Sequence, residues 1–186
     1  MSSMKDIKVE KITLNIGAGK PGAELDKAIT LLKTITGKTP AETKTTKRIP
    51  GWAIRPGLTI GCKVTLRNKD AVETVKRLLT AIDNLISIRS FDKNGNFSFG
   101  VPEYLEIPNM DYIPEVGIIG LEVAVTLARP GYRIKRRTQK TKSIPERHKI
   151  SKQEGIDFAK KELGVKIKEE EDEEWLLEVI KKFSNN

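Results

Sequence analysis

Residues 58–67, LTIGCKVTLR, alternate strictly between apolar and polar side chains over a full ten positions. A period of two over that length belongs to a β-strand with one face in a core and one in water. Leu58, Ile60, Cys62, Val64 and Leu66 share the apolar face, and Thr59, Lys63, Thr65 and Arg67 share the polar one with Gly61. A sheet with one wet face is the antiparallel kind, so the remaining segments have to supply antiparallel partners and a cover for the apolar side.

They do. Ile7 to Ile16 alternates, with Ile12, Leu14 and Ile16 set against Lys11, Thr13 and Asn15. Its phase slips near Glu10, which predicts a bulge or a late strand start. Leu25, Ala28, Ile29, Leu32 and Ile35 recur at helical spacing, with Pro21-Gly22 before them and Gly37 as the stop. Lys38 to Thr46 reads as a short polar edge strand. Asp70 with Glu73 has the form of a capping box opening a helix that turns Val72, Val75, Leu79, Ile82 and Ile86 inward. Asn94-Gly95 between Phe91 and Phe97 is a turn, and Ile118 to Ala128 is a last strand. The order strand, helix, strand, strand, helix, strand is the split βαβ arrangement. The expected fold is α+β, a mainly antiparallel sheet with two helices on one face, followed by a basic C-terminal arm and helix.

Two segments fall outside that core. Thr43 to Pro56 lacks periodicity and is basic through Lys44, Lys47, Arg48 and Arg55, with Trp52 near its tip. So long an irregular connection is usually functional or mobile, and Trp52 either anchors an interface or packs on its own loop. Arg129 to Lys152 holds ten basic residues and one acid, Glu146. It reads as too polar to add to the core, an arm that orders on a polyanion. Ser151 with Glu154 is a second capping-box match, and the helix it opens should end near Gly164.

Charge narrows the function. The chain of 186 residues carries +9, but from Lys168 onward seven acids face three lysines, a net of −4. Residues 1–167 therefore carry +13, which calls for a polyanionic partner. The polar face of the central strand offers Thr, Lys and Arg where single-strand platforms carry aromatics, a choice suited to the backbone and hydroxyls of folded RNA. One cysteine, Cys62, excludes an internal disulfide and reads as a small buried hydrophobe. No apolar run is long enough for a bilayer and Met1 to Glu10 has no signal-peptide pattern, so a cytoplasmic setting without membrane contact is expected.

Catalytic constellations are missing. His148 is the only histidine and lies in the arm, and Asp111 and Glu115 sit in a Pro-flanked loop as a solvated pair. No Cys/His cluster has metal-ligand spacing, and neither metal nor cofactor is expected. Gly17, Gly19 and Gly22 do spell G-x-G-x-x-G between a strand and a helix, with Glu42 at the distance of a ribose-binding acid. Against a dinucleotide site stand the polar strand that follows, the lack of a second crossover helix, and a chain too short for a substrate domain. Glycines before a helix also admit an RNA phosphate to backbone N–H groups, and each alone makes a tight turn. The competing classes are thus an enzyme of that kind and a non-specific nucleic-acid compactor.

Several segments occur together in one family. They are Asn15-Ile16-Gly17-Ala18-Gly19, Thr36-Gly37-Lys38-Thr39-Pro40, residues 60–67 (IGCKVTLR), residues 91–100 (FDKNGNFSFG), Met110-Asp111-Tyr112 and Gly120-Leu121-Glu122-Val123. In order and spacing, from about Ile7 to Val165, the chain resembles the fifth large-subunit ribosomal protein family, which attaches 5S rRNA to the large subunit. Residues 129–137 (RPGYRIKRR) resemble its archaeal and eukaryotic branch. The resemblance implies that Asn15 and Thr65 meet the 5S RNA together with Lys38, which stands where the family has Gln and trades a specific hydrogen bond for a phosphate contact. The same surface is expected to include Gly17, Gly19, Thr39, Lys63 and Arg67, with Arg133, Lys135, Arg136 and Arg137 of the arm. It further implies that the 43–57 loop reaches the P-site tRNA through Lys44, Lys47, Arg48, Trp52 and Arg55. Pro56 replaces the family's acid there and should stiffen the loop's exit. Implied neighbours are large-subunit rRNA and the ribosomal proteins of the central protuberance and the small-subunit head. The expected division is a 1–128 RNA-binding domain, a 129–167 basic arm and helix packed on or beside it, and an acidic amphipathic tail, 168–186, with no counterpart in the family pattern.

Overall fold

A computed structural model describes residues 3–168. The amphipathic reading of the tail around Trp175, Leu176, Val179, Ile180 and Phe183 lies outside those residues, apart from Lys168 itself.

The central strand is β3 (Thr59–Arg67), and it pairs antiparallel with β1 (Lys8–Gly17) on one side and β2 (Ala41–Lys44) on the other. Strand β6 (Leu121–Ala128) lies antiparallel on the far side of β1, and β5 (Phe97–Val101) closes that edge against β6. The sheet order is β2-β3-β1-β6-β5. Without β5 it is the split βαβ order that the sequence predicts, and β5 is an added edge strand delivered by the Asn94-Gly95 turn. Helices α1 (Ala23–Thr36) and α2 (Asn68–Thr80) cover one face. Ile12, Leu14, Cys62, Val64 and Leu66 are buried under them, against Leu25, Leu32, Val75 and Leu79. Burial pushes the Cys62 thiol pKa up, as expected for a packing residue.

This topology disposes of the dinucleotide reading. The strand after α1, β2, lies at the sheet edge, antiparallel to β3 and separated from β1 by it. A dinucleotide fold needs that strand parallel to the first, beside it.

The slip near Glu10 is a β-bulge. Val9 faces Leu127 while Lys11 faces Thr126, so Glu10 is the extra residue on β1. The helix ends mix agreement with correction. Gly37 closes α1 in the left-handed conformation, its N–H bonded to the Lys33 carbonyl. Ser151 and Glu154 form the full capping box of α3 (Lys152–Leu163), which ends at Gly164. Asp70 and Glu73 form none: α2 begins at Asn68, its N-cap Arg67 makes no side-chain capping bond, and Asp70 bonds Lys38 instead. Nor does α2 reach Ile86. Asp83 and Asn84 adopt left-handed backbone, which ends the helix at Thr80. Ile86 then enters the core from a short strand, β4 (Leu85–Ser87), paired in parallel with β7 (Lys166–Lys168).

The arm also departs from expectation, because it does add to the core. Ile144 and Ile150 are buried, and so is Arg129 at 8 % exposure. The Arg129 guanidinium donates to the Lys149 carbonyl and, at 2.6 Å, to Glu154 of α3. The Tyr132 hydroxyl accepts from the Ile150 N–H at 3.0 Å and lies within bonding distance of the His148 carbonyl. The Arg129 guanidinium, apart from its Nε, and the Tyr132 hydroxyl thus find partners inside the chain, and the two isoleucines supply apolar anchors that composition alone obscures.

Candidate nucleic-acid interface

The sheet face opposite the helices is open to solvent. Register lines up its outward residues in rows across the strands. Lys63, Asn15 and Glu122 form one row, Thr65, Thr13 and Ala124 the next, and Arg67, Lys11 and Thr126 the third. Ser98 and Gly100 of β5 extend the first two rows. Lys63, Thr65 and Arg67 are exposed, and no outward position on β1, β3, β5 or β6 in these rows is aromatic. Gly17 and Gly61 pair at one end of the face and Lys11 and Arg67 at the other, a run of about 20 Å along β3.

Two acids shape this face. The Asn15 amide nitrogen donates to the Glu122 carboxylate at 3.0 Å, which fixes the amide and leaves its oxygen directed away from Glu122 as an acceptor. Glu10 ion-pairs with Arg67 of β3 at 3.5 Å and with Arg136 of the arm. The bulge turns Glu10 to meet both arginines, so the arm is tied to the end of the sheet face. Neither acid was singled out from sequence. The alternation 121–128 places Glu122 outward, and the phase slip marks Glu10, so the signals existed.

The other expected residues are distributed around this face. Lys38 pairs with Asp70 at 2.6 Å at the start of α2, and this lysine holds the Asp70 carboxyl below the usual carboxylate range. Thr39 lies two residues before β2 begins and outside the β2–β3 pairing. The glycine turn is less available to phosphate than its pattern suggests. The N–H groups of Ala18 and Gly19 both donate to the Ile60 carbonyl, and the first turn of α1 carries Glu24 and Asp26, which oppose an anion. Gly19 has φ +71°, so its part is to make the turn.

The 43–57 loop is an extension of the β2–β3 hairpin. Thr45 N–H donates to Leu58, Gly57 N–H donates to Thr45, and Ile49 and Ile54 exchange backbone bonds below the tip. Ile54 is buried while Trp52 is 70 % exposed, so Trp52 does not pack down on its own loop. Lys44, Lys47, Arg48 and Arg55 are exposed around it. In the arm, Arg133, Lys135, Arg136 and Arg137 are exposed too, with Arg137 Nε bonded to the Lys140 carbonyl.

Two family models match the chain, "Ribosomal protein L5" over residues 2–55 and the C-terminal model of the same ribosomal family over residues 59–158. Among curated relatives, the large ribosomal subunit protein uL5 of Nanoarchaeum equitans is 52 % identical over 88 % of this chain and 97 % of its own length. That of Sulfolobus acidocaldarius is 45 % identical over 89 % and 93 %, and that of Methanoregula boonei 41 % identical over 89 % and 100 %. An open, aromatic-free basic sheet face on this fold, with identity of that extent, leads to one conclusion: the chain belongs to the ribosomal protein L5 family.

Proposed function

We propose that this protein is a non-enzymatic structural component of the large ribosomal subunit, working on the ribosome in the cytoplasm. Within that role, it holds 5S rRNA on the open sheet face and helps attach it at the central protuberance. The observation that carries the reading is the row chemistry of that face: an amide fixed by Glu122, hydroxyls and cations, with no ring on which to stack a base. Such a surface suits folded RNA, whose phosphates and 2′-hydroxyls define its shape. Asn15 and Thr65 supply hydrogen bonds, Lys63 and Arg67 neutralise phosphates, and the tethered arm extends the cationic surface through Arg133, Lys135, Arg136 and Arg137. Large-subunit rRNA and neighbouring ribosomal proteins would flank it.

Asn15→Ala or Thr65→Ala should each weaken 5S rRNA binding by about 1–2 kcal/mol, the cost of a lost hydrogen bond that leaves its partner unpaired. Filter-binding titrations measure this, and unchanged affinity in both variants would refute the site. Competition by bulk duplex DNA at fixed salt separates this role from non-specific compaction, in which 5S rRNA would have no advantage. The exposed Trp52 and its basic surround supports the tip of the β2–β3 hairpin as the P-site tRNA contact, facing the small-subunit head. Deleting residues 48–55 should weaken tRNA contact and spare 5S binding.

A further inference from the structure

Between the arm and the β5–β6 edge lies a cavity of about 460 Å³, to which Lys135 and Arg136 of the proposed rRNA surface contribute and whose remaining walls that surface does not use. Its walls carry four cations, Lys135, Arg136, Lys142 and Lys149, and no acid. Arg136 is held by Glu10 and Lys149 by Glu146, but no ion pair among the described residues engages Lys135 or Lys142. Thr126, Ser143 and Asn94 add neutral polar residues to the lining, and Tyr132 adds an aromatic one. The walls are fixed in advance: Lys142 N–H donates to the Ile134 carbonyl, and the Tyr132 hydroxyl is held by the Ile150 N–H.

We propose that this cavity is a pocket for one unstacked RNA nucleotide, a reading that rests on the assignment of rRNA as partner. The volume falls within the range of small-ligand sites, which is about 300–1,000 Å³. A phosphate bound by Lys135 and Lys142 gains charge-assisted bonds from the two pocket cations that no ion pair among the described residues engages, while Glu10 and Glu146 stay on Arg136 and Lys149. The ring and the polar groups complete a site for the nucleoside, in the way single unpaired bases are recognised. An acidic peptide would use the cations but leave the ring and the neutral polar groups idle.

The test uses the full chain, isotopically labelled for NMR and titrated with adenosine 5′-monophosphate, adenosine, inorganic phosphate and hexaglutamate. The monophosphate should shift the amides of Asn94, Thr141 and Ser143 saturably. Phosphate should do so more weakly, and adenosine least. Replacing both exposed lysines (Lys135→Gln with Lys142→Gln) should weaken the monophosphate at least tenfold and leave the remaining spectrum in place. Shifts confined to the sheet face, saturation unaffected by the double variant, or hexaglutamate binding more tightly than the monophosphate would each overturn the pocket. The rRNA assignment is measured separately, by the affinity of Asn15→Ala and Thr65→Ala for 5S rRNA. A loss there without a monophosphate response overturns the pocket alone. A monophosphate response with unchanged rRNA affinity in both the sheet and the lysine variants overturns the rRNA assignment.

Discussion

Arg129 shows how one residue converts a basic tail into part of a fold. Its guanidinium is nearly buried, and it bonds the Lys149 carbonyl and the Glu154 carboxylate, so it joins the end of β6 to the start of α3. Glu154 answers two demands at once. It accepts the Ser151 N–H, the first cause of its lowered pKa, and the Arg129 guanidinium, the second. A carboxyl whose pKa is lower folded than unfolded stabilises the fold above its unfolded pKa and loses that contribution as pH falls through its folded value. Acidification below about pH 4.3, the ordinary glutamate pKa, should therefore loosen the arm and α3. In Glu154→Gln, Tm should be lower at neutral pH and fall less between pH 5 and pH 3 than in the parent, read by circular dichroism. Since the Glu154 side chain is 43 % exposed, solvent screens the effect and it stays modest. Arg129→Met is the harsher change. It leaves two acceptors without their donor and should cost about 1–3 kcal/mol in chemical denaturation.

At the scale of elements, a close seam lies between the Asn94-Gly95 turn and α3. A Cβ on Gly155 would come within 2.5 Å of the Gly95 backbone, and both glycines are buried. Gly155→Ala gains helix propensity but must push the turn and the helix apart, and overpacking of this kind costs about 1–3 kcal/mol. Denaturation should show net destabilisation, and Gly155→Ala as stable as the parent would mean that the turn moves freely. The local part of this seam was legible: Asn94-Gly95 announces a turn, and Ser151 with Glu154 announces a helix start. That the two meet was not, because contact between distant segments leaves no periodic trace. The same distinction explains the errors. Asp70 and Glu73 have capping-box spacing, yet Asp70 is taken by Lys38, 32 positions earlier in the chain. Ile86 continued a helical period through Asp83 and Asn84, whose left-handed backbone no hydrophobic pattern registers. Strands β4 and β7 are three residues each and stabilise one another, so neither is visible alone. For the site, alternation exposed Lys63, Thr65 and Arg67, whereas the Glu10 link from sheet to arm needed the fold.

Across the whole molecule, the +13 on residues 1–167 is divided between two places about a sheet's length apart. The hairpin tip continues from the end of the face where Gly17 meets Gly61, and the tethered arm meets the end where Lys11 meets Arg67. The 5S surface proposed here counts six exposed cations: Lys63, Arg67, Arg133, Lys135, Arg136 and Arg137. Each phosphate neutralised releases counterions and adds about 0.7–0.9 to the slope of log K against log salt; Arg67 and Arg136 already share Glu10, so the other four predict a slope near −3 to −3.5. The geometry makes the division testable by salt alone. Deleting residues 48–55 removes Arg48 and Arg55 yet should leave the 5S slope unchanged, because the hairpin tip serves a different partner. Arg133→Gln with Arg137→Gln removes the same amount of charge and should flatten the slope by about 1.4–1.8. Equal flattening in the two variants would show that the RNA responds to the molecule's total charge, and that the open face does not place it.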